Sequence, residues 1–92
     1  MRTFEVDTAH GRLACVETEG RGTAVLFIHG NSSCKEIFAR QLEGELGSRY
    51  RMIAFDLPGH GASSNAPEPA RTYSIHGFAN AAIELLSARS TQ

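Results

Sequence analysis

The 92-residue sequence predicts an α/β fold in which helices flank a partly parallel sheet. Three observations carry this. Ala24-Val25-Leu26-Phe27-Ile28 is apolar on both faces, as in a parallel strand covered on either side rather than a half-exposed antiparallel one. From Cys34 to Leu46 the apolar residues Phe38, Leu42 and Leu46 recur four apart with Ile37 beside them, which gives one helical stripe. A second apolar strand, Tyr50 to Phe55, then follows. Strand, helix and strand over residues 24–56 require a crossover between parallel strands.

The remaining elements fall around that unit. Phe4 to Ala9 alternates, with Phe4, Val6 and Thr8 on one face, and Arg12 to Thr18 alternates again through Leu13, Cys15 and Glu17. His10-Gly11 between them predicts a hairpin over residues 4–19. Ser33-Cys34-Lys35-Glu36 fits a capping box at the start of the first helix, and Gly47 stands where a left-handed residue would end it. Residues 57–73, with Pro58, Pro67 and Pro69, read as loop. A last helix over 74–88 is capped by Ser74 and places Ile75, Phe78, Ala79, Ala82 and Leu86 on one face.

Composition excludes several classes of function. A net charge of −1 without a basic stripe gives no footprint for nucleic acid or an anionic membrane. The start of the chain lacks the apolar core of a signal peptide, and the longest apolar run is far too short to span a bilayer. Cys15 and Cys34 are too few for a disulfide framework, so a soluble, cytoplasmic protein with reduced thiols is expected.

Ligands of α/β sheets bind beyond the carboxyl ends of parallel strands, where His29–Ser33 and Asp56–Ser64 both lie. Neither glycine-rich phosphate motif occurs, and Gly59-His60-Gly61 lacks a third glycine. A serine elbow needs glycine two residues before and two after the serine. Gly30-Asn31-Ser32-Ser33-Cys34 and Gly61-Ala62-Ser63-Ser64-Asn65 each lack the second glycine, so no nucleophile elbow is present in residues 1–92. Two readings of His29-Gly30-Asn31 stand side by side. The loop can aim the Asn31 backbone N–H at a developing oxyanion, or it can be a tight strand-to-helix connection and nothing more.

The segments "VLFIHGNSS", "MIAFDLPGHGASS" and "YSIHGFANAAIELL", in that order and spacing, resemble the N-terminal part of the α/β-hydrolase fold over residues 4–86. The resemblance implies strand order 1-2-4-3, leaving 24–28 at an open edge, in a three-layer α/β/α domain that is incomplete over these residues. It makes Asn31 N–H an oxyanion-hole donor, puts Gly30, Ser32 and Ser33 at the substrate, and makes Asp56, Gly59, Gly61 and Ser63 shape the rim. It also implies a serine-type hydrolase of ester- or amide-type bonds whose nucleophile, acid and histidine lie beyond Gln92, so that the 92 residues alone are inactive. No cofactor is implied. A haloalkane-dehalogenase-like branch, in which asparagine of a His-Gly-Asn loop holds a halide, is the minority reading, because no proline follows Asn31. The alternative from another class is a small non-catalytic module that self-associates through the open edge at 24–28.

Other tempting residues are expected to be structural. His29 and His60 do not match the position of the family's general base; a hydrogen-bonded role is expected for His29 and a packing or loop-capping role for His60. His10 reads as a turn residue, and His76 lies in the first turn of the last helix, on no obvious site. Asp56 is expected to accept backbone N–H bonds from Leu57 to Gly61. Asp56, His29, His60 and Cys34 match no zinc spacing. Cys34 lacks a partner to complete a triad and is expected as a small apolar group facing the helix side.

Overall fold

The alternating segments pair first, as the strands β1 (Arg2–Thr8) and β2 (Gly11–Glu17), antiparallel from Arg2↔Glu17 to Thr8↔Gly11. The structure, a computed structural model, describes residues 1–30 and 32–90. The apolar runs become β3 (Arg21–Ile28) and β4 (Tyr50–Phe55), parallel to each other from Ala24↔Arg51 to Ile28↔Phe55. β2 joins β4 antiparallel through Cys15↔Phe55, so the sheet runs β1-β2-β4-β3, the order the resemblance implied. β3 is therefore an edge strand rather than the central strand its uninterrupted apolar run suggested, and Val25 and Ile28 are 43% and 53% exposed.

Side chains alternate across the sheet to give a core on each face. Leu13, Cys15, Ile53 and Phe55 pack with Ala81, Ala82 and Leu85 of the long helix α4, while Val16, Met52 and Ala54 pack with Leu42 on the opposite face. Burial pushes the Cys15 thiol up to about 12, so it is an inert member of the first core. Among the described residues no helix is long and apolar enough to cross a membrane.

The helical segment after β3 departs from the expected single helix. A 3-10 turn, Lys35–Phe38, leads into α1 (Ala39–Glu43), and Gly44 in extended conformation separates it from α2 (Glu45–Arg49). Gly44 is a poor helix residue, and in extended conformation it breaks the i→i−4 ladder. Of the expected stripe, Leu42 is buried and Phe38 partly so, while Ile37 and Leu46 are exposed. Ser33 forms no capping box; Cys34 holds the cap position in extended backbone without a side-chain cap. Gly47 does not end a helix. It lies buried inside α2, where an added Cβ would come within 2.0 Å of the Leu42 carbonyl oxygen.

Residues 57–73 are mostly loop but contain α3 (Pro69–Thr72), and the last helix, α4, runs Ile75–Ser90. Ser74 caps α4 as expected, its Oγ accepting the Gly77 N–H at 3.0 Å. The buried face is rotated from the expected one: Phe78, Ala81, Ala82 and Leu85 meet the sheet, whereas Ile75 is 86% and Leu86 38% exposed. His10 is the turn residue expected between β1 and β2, and its side chain is buried. Its Nδ1 lies 2.7 Å from Thr72 Oγ1 and its Nε2 3.5 Å from Glu84, tying the β1–β2 turn to α3 and α4.

The rotated face has a measurable consequence. Leu85→Ala is expected to destabilise the chain by about 2–5 kcal/mol, the range for emptying a filled core site, and Leu86→Ala by less than about 1 kcal/mol. Urea unfolding of the two variants checks this; equal losses would return the helix to the face read from sequence.

Candidate active site

The carboxyl ends of β3 and β4 hold the site, because parallel neighbours deliver their following loops to the same edge. Asp56, the residue after β4, is wholly buried. Its Oδ1 accepts the Lys35 backbone N–H at 2.7 Å, and its Oδ2 accepts the Lys35 ammonium at 2.9 Å and the Ala62 N–H at 2.9 Å. Its donors are thus Lys35 and Ala62 rather than the expected 57–61 segment, since the Leu57 N–H is already engaged by His29. Sequence reasoning passed over Lys35 altogether. Its position one residue after Cys34 marks it as a helix-start residue, and only the folded chain brings it to Asp56.

The Asp56–Ser63 loop wraps this carboxylate. Gly61, at φ +50°, carries no side chain because a Cβ would sit 2.4–2.6 Å from the Asp56 carboxyl group. Gly59, at φ +74°, leaves the same kind of space for the Tyr73 hydroxyl end. Ser63 Oγ donates to the Asp56 carbonyl at 2.6 Å and accepts the Ala14 N–H at 2.9 Å, fastening the loop to β2.

The other loop is tied to the adjacent residue. His29 is buried, and its Nε2 accepts the Leu57 N–H at 3.0 Å. That leaves the ring proton on Nδ1, which donates to the Gly30 carbonyl at 2.6 Å. The segment between His29 and Lys35 is thereby held at one end by Leu57 and at the other by Asp56. Within it Ser32 adopts φ 61°, a left-handed conformation that costs a non-glycine residue about 1–2 kcal/mol. Gly30 and Ser32 are exposed and Ser33 is half-buried. Asn31, the predicted oxyanion donor, lies outside the described residues.

His60 packs against the His29 ring, with centroids 5.2 Å apart, and its Nδ1 lies 3.0 Å from the Pro58 carbonyl oxygen. This pair lines a mostly apolar cleft of about 640 Å³ whose other walls include Ile28, Leu57, Tyr73 after α3, and Ile75 and Phe78 at the start of α4. Gly30, Ser32 and Ser33 are not among its lining residues. His76 does not line it either and is exposed. The described residues contain no group of three or more His, Cys, Asp or Glu that could hold a metal ion.

Burial alone would raise the Asp56 carboxyl, but the Lys35 and Ala62 N–H donors and the Lys35 ammonium outweigh it and hold it below its ordinary 3.8. Burial would lower Lys35, yet Asp56 and Glu36 raise it above its ordinary 10.5. A lowered carboxylate contributes stability that is present above its unfolded value and lost as pH falls through the folded one; a raised ammonium contributes below its unfolded value and loses as pH rises through the folded one. The pair is therefore intact between about pH 4 and 10. The stability difference between the natural chain and Asp56→Asn is expected to be constant from pH 5 to 9 and to shrink below 3.8. Denaturant unfolding across pH 2–9 checks this. A difference that persists unchanged to pH 2 would remove Asp56 as an ionised anchor.

The sequence model of the alpha/beta hydrolase family matches residues 25–90. An uncharacterised protein of Mycobacterium tuberculosis is 34% identical over 85 residues, which cover 92% of this chain and 24% of that protein. Among solved structures, the N-acyl homoserine lactonase AidH, in complex with N-butanoyl homoserine, superposes with a TM-score of 0.93 at 51% identity, over 96% of this chain and 32% of that one. A thermophilic esterase from Thermogutta terrifontis superposes at 0.80 with 25% identity, over 99% of this chain and 33% of that one. The chain thus spans about a quarter to a third of the length of these relatives. With the sheet order and the His-Gly loop described above, these likenesses place the chain in the alpha/beta hydrolase family.

Proposed function

We propose that residues 1–92 supply the oxyanion-hole loop and one wall of the active site of a serine-type hydrolase that opens ester-type carbonyls, lactones among them. The observation that carries this reading is the double anchoring of the loop: His29 to Leu57 N–H, Lys35 to Asp56, with a left-handed Ser32 between them. A loop held at both ends is the pre-organisation an oxyanion hole requires, since a donor that must reorganise during reaction loses its advantage. The 51% identity to a lactonase and the likeness to an esterase support the carbonyl chemistry.

In this reading a serine contributed by the rest of the fold attacks the carbonyl carbon. The carbonyl oxygen takes up the negative charge and accepts the Asn31 backbone N–H. A histidine of the rest of the fold takes the seryl proton during attack and gives it to the leaving alkoxide as the seryl adduct expels it. Water, deprotonated by the same histidine, then releases the acid and restores the serine. Gly30, Ser32 and Ser33 stand beside the reacting carbonyl. His29 and His60 hold loops and carry no proton for the reaction.

A chimera tests it, with residues 1–92 replacing the equivalent third of the lactonase AidH. The isolated chain is expected to be inert, and the chimera to hydrolyse N-acyl homoserine lactones. Asn31→Ala, which keeps the N–H, retains activity within a few-fold, while Asn31→Pro, which removes it, loses roughly 100- to 1,000-fold in kcat. An Asn31→Pro chimera as active as Asn31→Ala sinks the oxyanion assignment. Hydrolysis by the isolated chain would sink the claim that the nucleophile comes from elsewhere.

A second reading rests on the exposed apolar edge of β3, where Val25 and Ile28 lie open. An unpaired apolar edge is a template for another strand. As a non-catalytic module the chain self-associates through 24–28, and sedimentation velocity is expected to show concentration-dependent dimers that Val25→Lys abolishes. A monodisperse monomer at high concentration rules this reading out.

A further inference from the structure

Lys35 touches Asp56 twice, through two chemically different donors. Its backbone N–H binds Oδ1 at 2.7 Å and its ammonium binds Oδ2 at 2.9 Å, around a carboxylate with no exposed surface. The ammonium is itself largely covered, its side chain 12% exposed, and its second contact is Glu36 Oε2 at 3.0 Å. The backbone contact fixes where the His29–Lys35 segment ends. The ammonium supplies the opposite charge that lets a buried, ionised carboxylate act as the fixed point. Ala62, on the facing loop, donates to the same Oδ2. One carboxylate therefore sets the separation of the two loops that flank the site, and its charge is balanced by a residue of the loop being positioned.

We propose that Lys35 is the positioning residue of the oxyanion-hole loop: by gripping both oxygens of Asp56 it locks the His29–Lys35 segment against the Asp56–Ser63 loop. This rests on the hydrolase reading above for its relevance to catalysis, though the locking itself does not. Besides Asp56 and Glu36, the groups around the ammonium are the Cys15 thiol of β2, with Glu5 of β1 and Glu43 of α1 lining the neighbouring clefts.

Removing only the ammonium separates locking from packing. Lys35→Met keeps the backbone N–H and most of the side-chain volume but leaves Asp56 ionised and buried. Lys35→Met/Asp56→Asn removes both charges. Amide hydrogen exchange, corrected for intrinsic rates, is read by NMR on the full 92-residue chain at pH 7 and pH 5. The Ala62 and position-35 amides of Lys35→Met are expected to lose at least tenfold protection at pH 7. They regain protection as the pH is lowered to 5, because burial, the largest influence on the Asp56 carboxyl, is no longer offset by the ammonium and raises it. The natural chain stays protected at both pH values. The double variant keeps protected at both the one of the two amides, position 35 or 62, that faces its single carboxamide oxygen. Unchanged protection in Lys35→Met overturns the proposal. So does an equal loss of both amides at both pH values that the double variant shares, which would mark a packing role. If Lys35→Met does not fold, a folded double variant with that one amide protected supports the proposal, and failure of both overturns it. In the AidH chimera, Lys35→Met is expected to lower kcat at pH 7 at least tenfold with KM little changed. An inactive chimera with the exchange pattern intact would defeat the hydrolase reading while leaving the lock in place.

Discussion

A single buried carboxylate holds the working end of this molecule together. Asp56 follows directly on β4, its N–H donating to the Ala14 carbonyl of β2, so its backbone is already part of the sheet. Taking a carboxylate out of water costs several kcal/mol unless the lost hydration is replaced donor for donor. Here the replacements come from outside the strand: Lys35 from the loop after β3, and Ala62 from the loop after β4. Each donor satisfies the charge only if its loop is in place. The desolvation penalty that would otherwise disfavour the fold thus becomes the reason both loops adopt one conformation. Gly61 is the steric counterpart, since any larger residue would occupy the space of the carboxylate.

The opposite end of the sheet uses the same device with the roles enlarged. Glu17, at the end of β2, is buried and accepts from Arg2 of β1 at 2.9 Å, from Arg51 of β4 and from Arg89 of α4. Burial would raise its carboxyl, but the three guanidinium bonds hold it below the usual carboxylate range. Arg89 also stacks on the Phe4 ring at 4.3 Å, fixing the last turn of α4 against β1. The helix is therefore held at its C-terminal end by Glu17 and along its length by the His10–Glu84 contact, while His10–Thr72 ties the preceding α3 to the β1–β2 turn. These contacts keep Tyr73 and Ile75 at the margin of the cleft. Among the described residues Arg89 Nε is buried and has no hydrogen-bond partner.

The parts of this arrangement that were legible in sequence are those written in local pattern. Alternation gave the hairpin, the apolar runs gave β3 and β4, and Ser74 gave the start of α4. The His-Gly and Asp-x-x-Gly-x-Gly loops were found because glycine spacing records backbone demands directly. What escaped depended on contacts between distant segments. Lys35 looks like a solvated helix-start residue until the fold sets Asp56 beside it. His10 looks like a turn residue because its partners, Thr72 and Glu84, are more than sixty residues away. The face of α4 was misread because Ile75 and Leu86 fit the 3.6-residue period as well as Ala81 and Leu85 do, and only the sheet decides between overlapping stripes. Gly47 was misread for a related reason. A glycine near a helix end signals a terminus from sequence alone, whereas Gly47 is required by the close approach of Leu42.

The misread residues point to a property of the open flank. Val25 and Ile28 of β3 are large, apolar and exposed, and the exposed Ile75 of α4 lines the same cleft as Ile28. β3 is also the strand that ends in the His29–Gly30 loop. The flank that lacks cover and the loop proposed for oxyanion binding therefore belong to one strand. Satisfying the free N–H and C=O groups of that edge requires another strand, and in the α/β-hydrolase family a further strand lies there. A strand paired along β3 would deliver its own carboxyl end next to His29. In the hydrolase reading proposed above, a strand paired parallel to β3 would cover the apolar edge and end beside the anchored loop, so one pairing would meet both requirements.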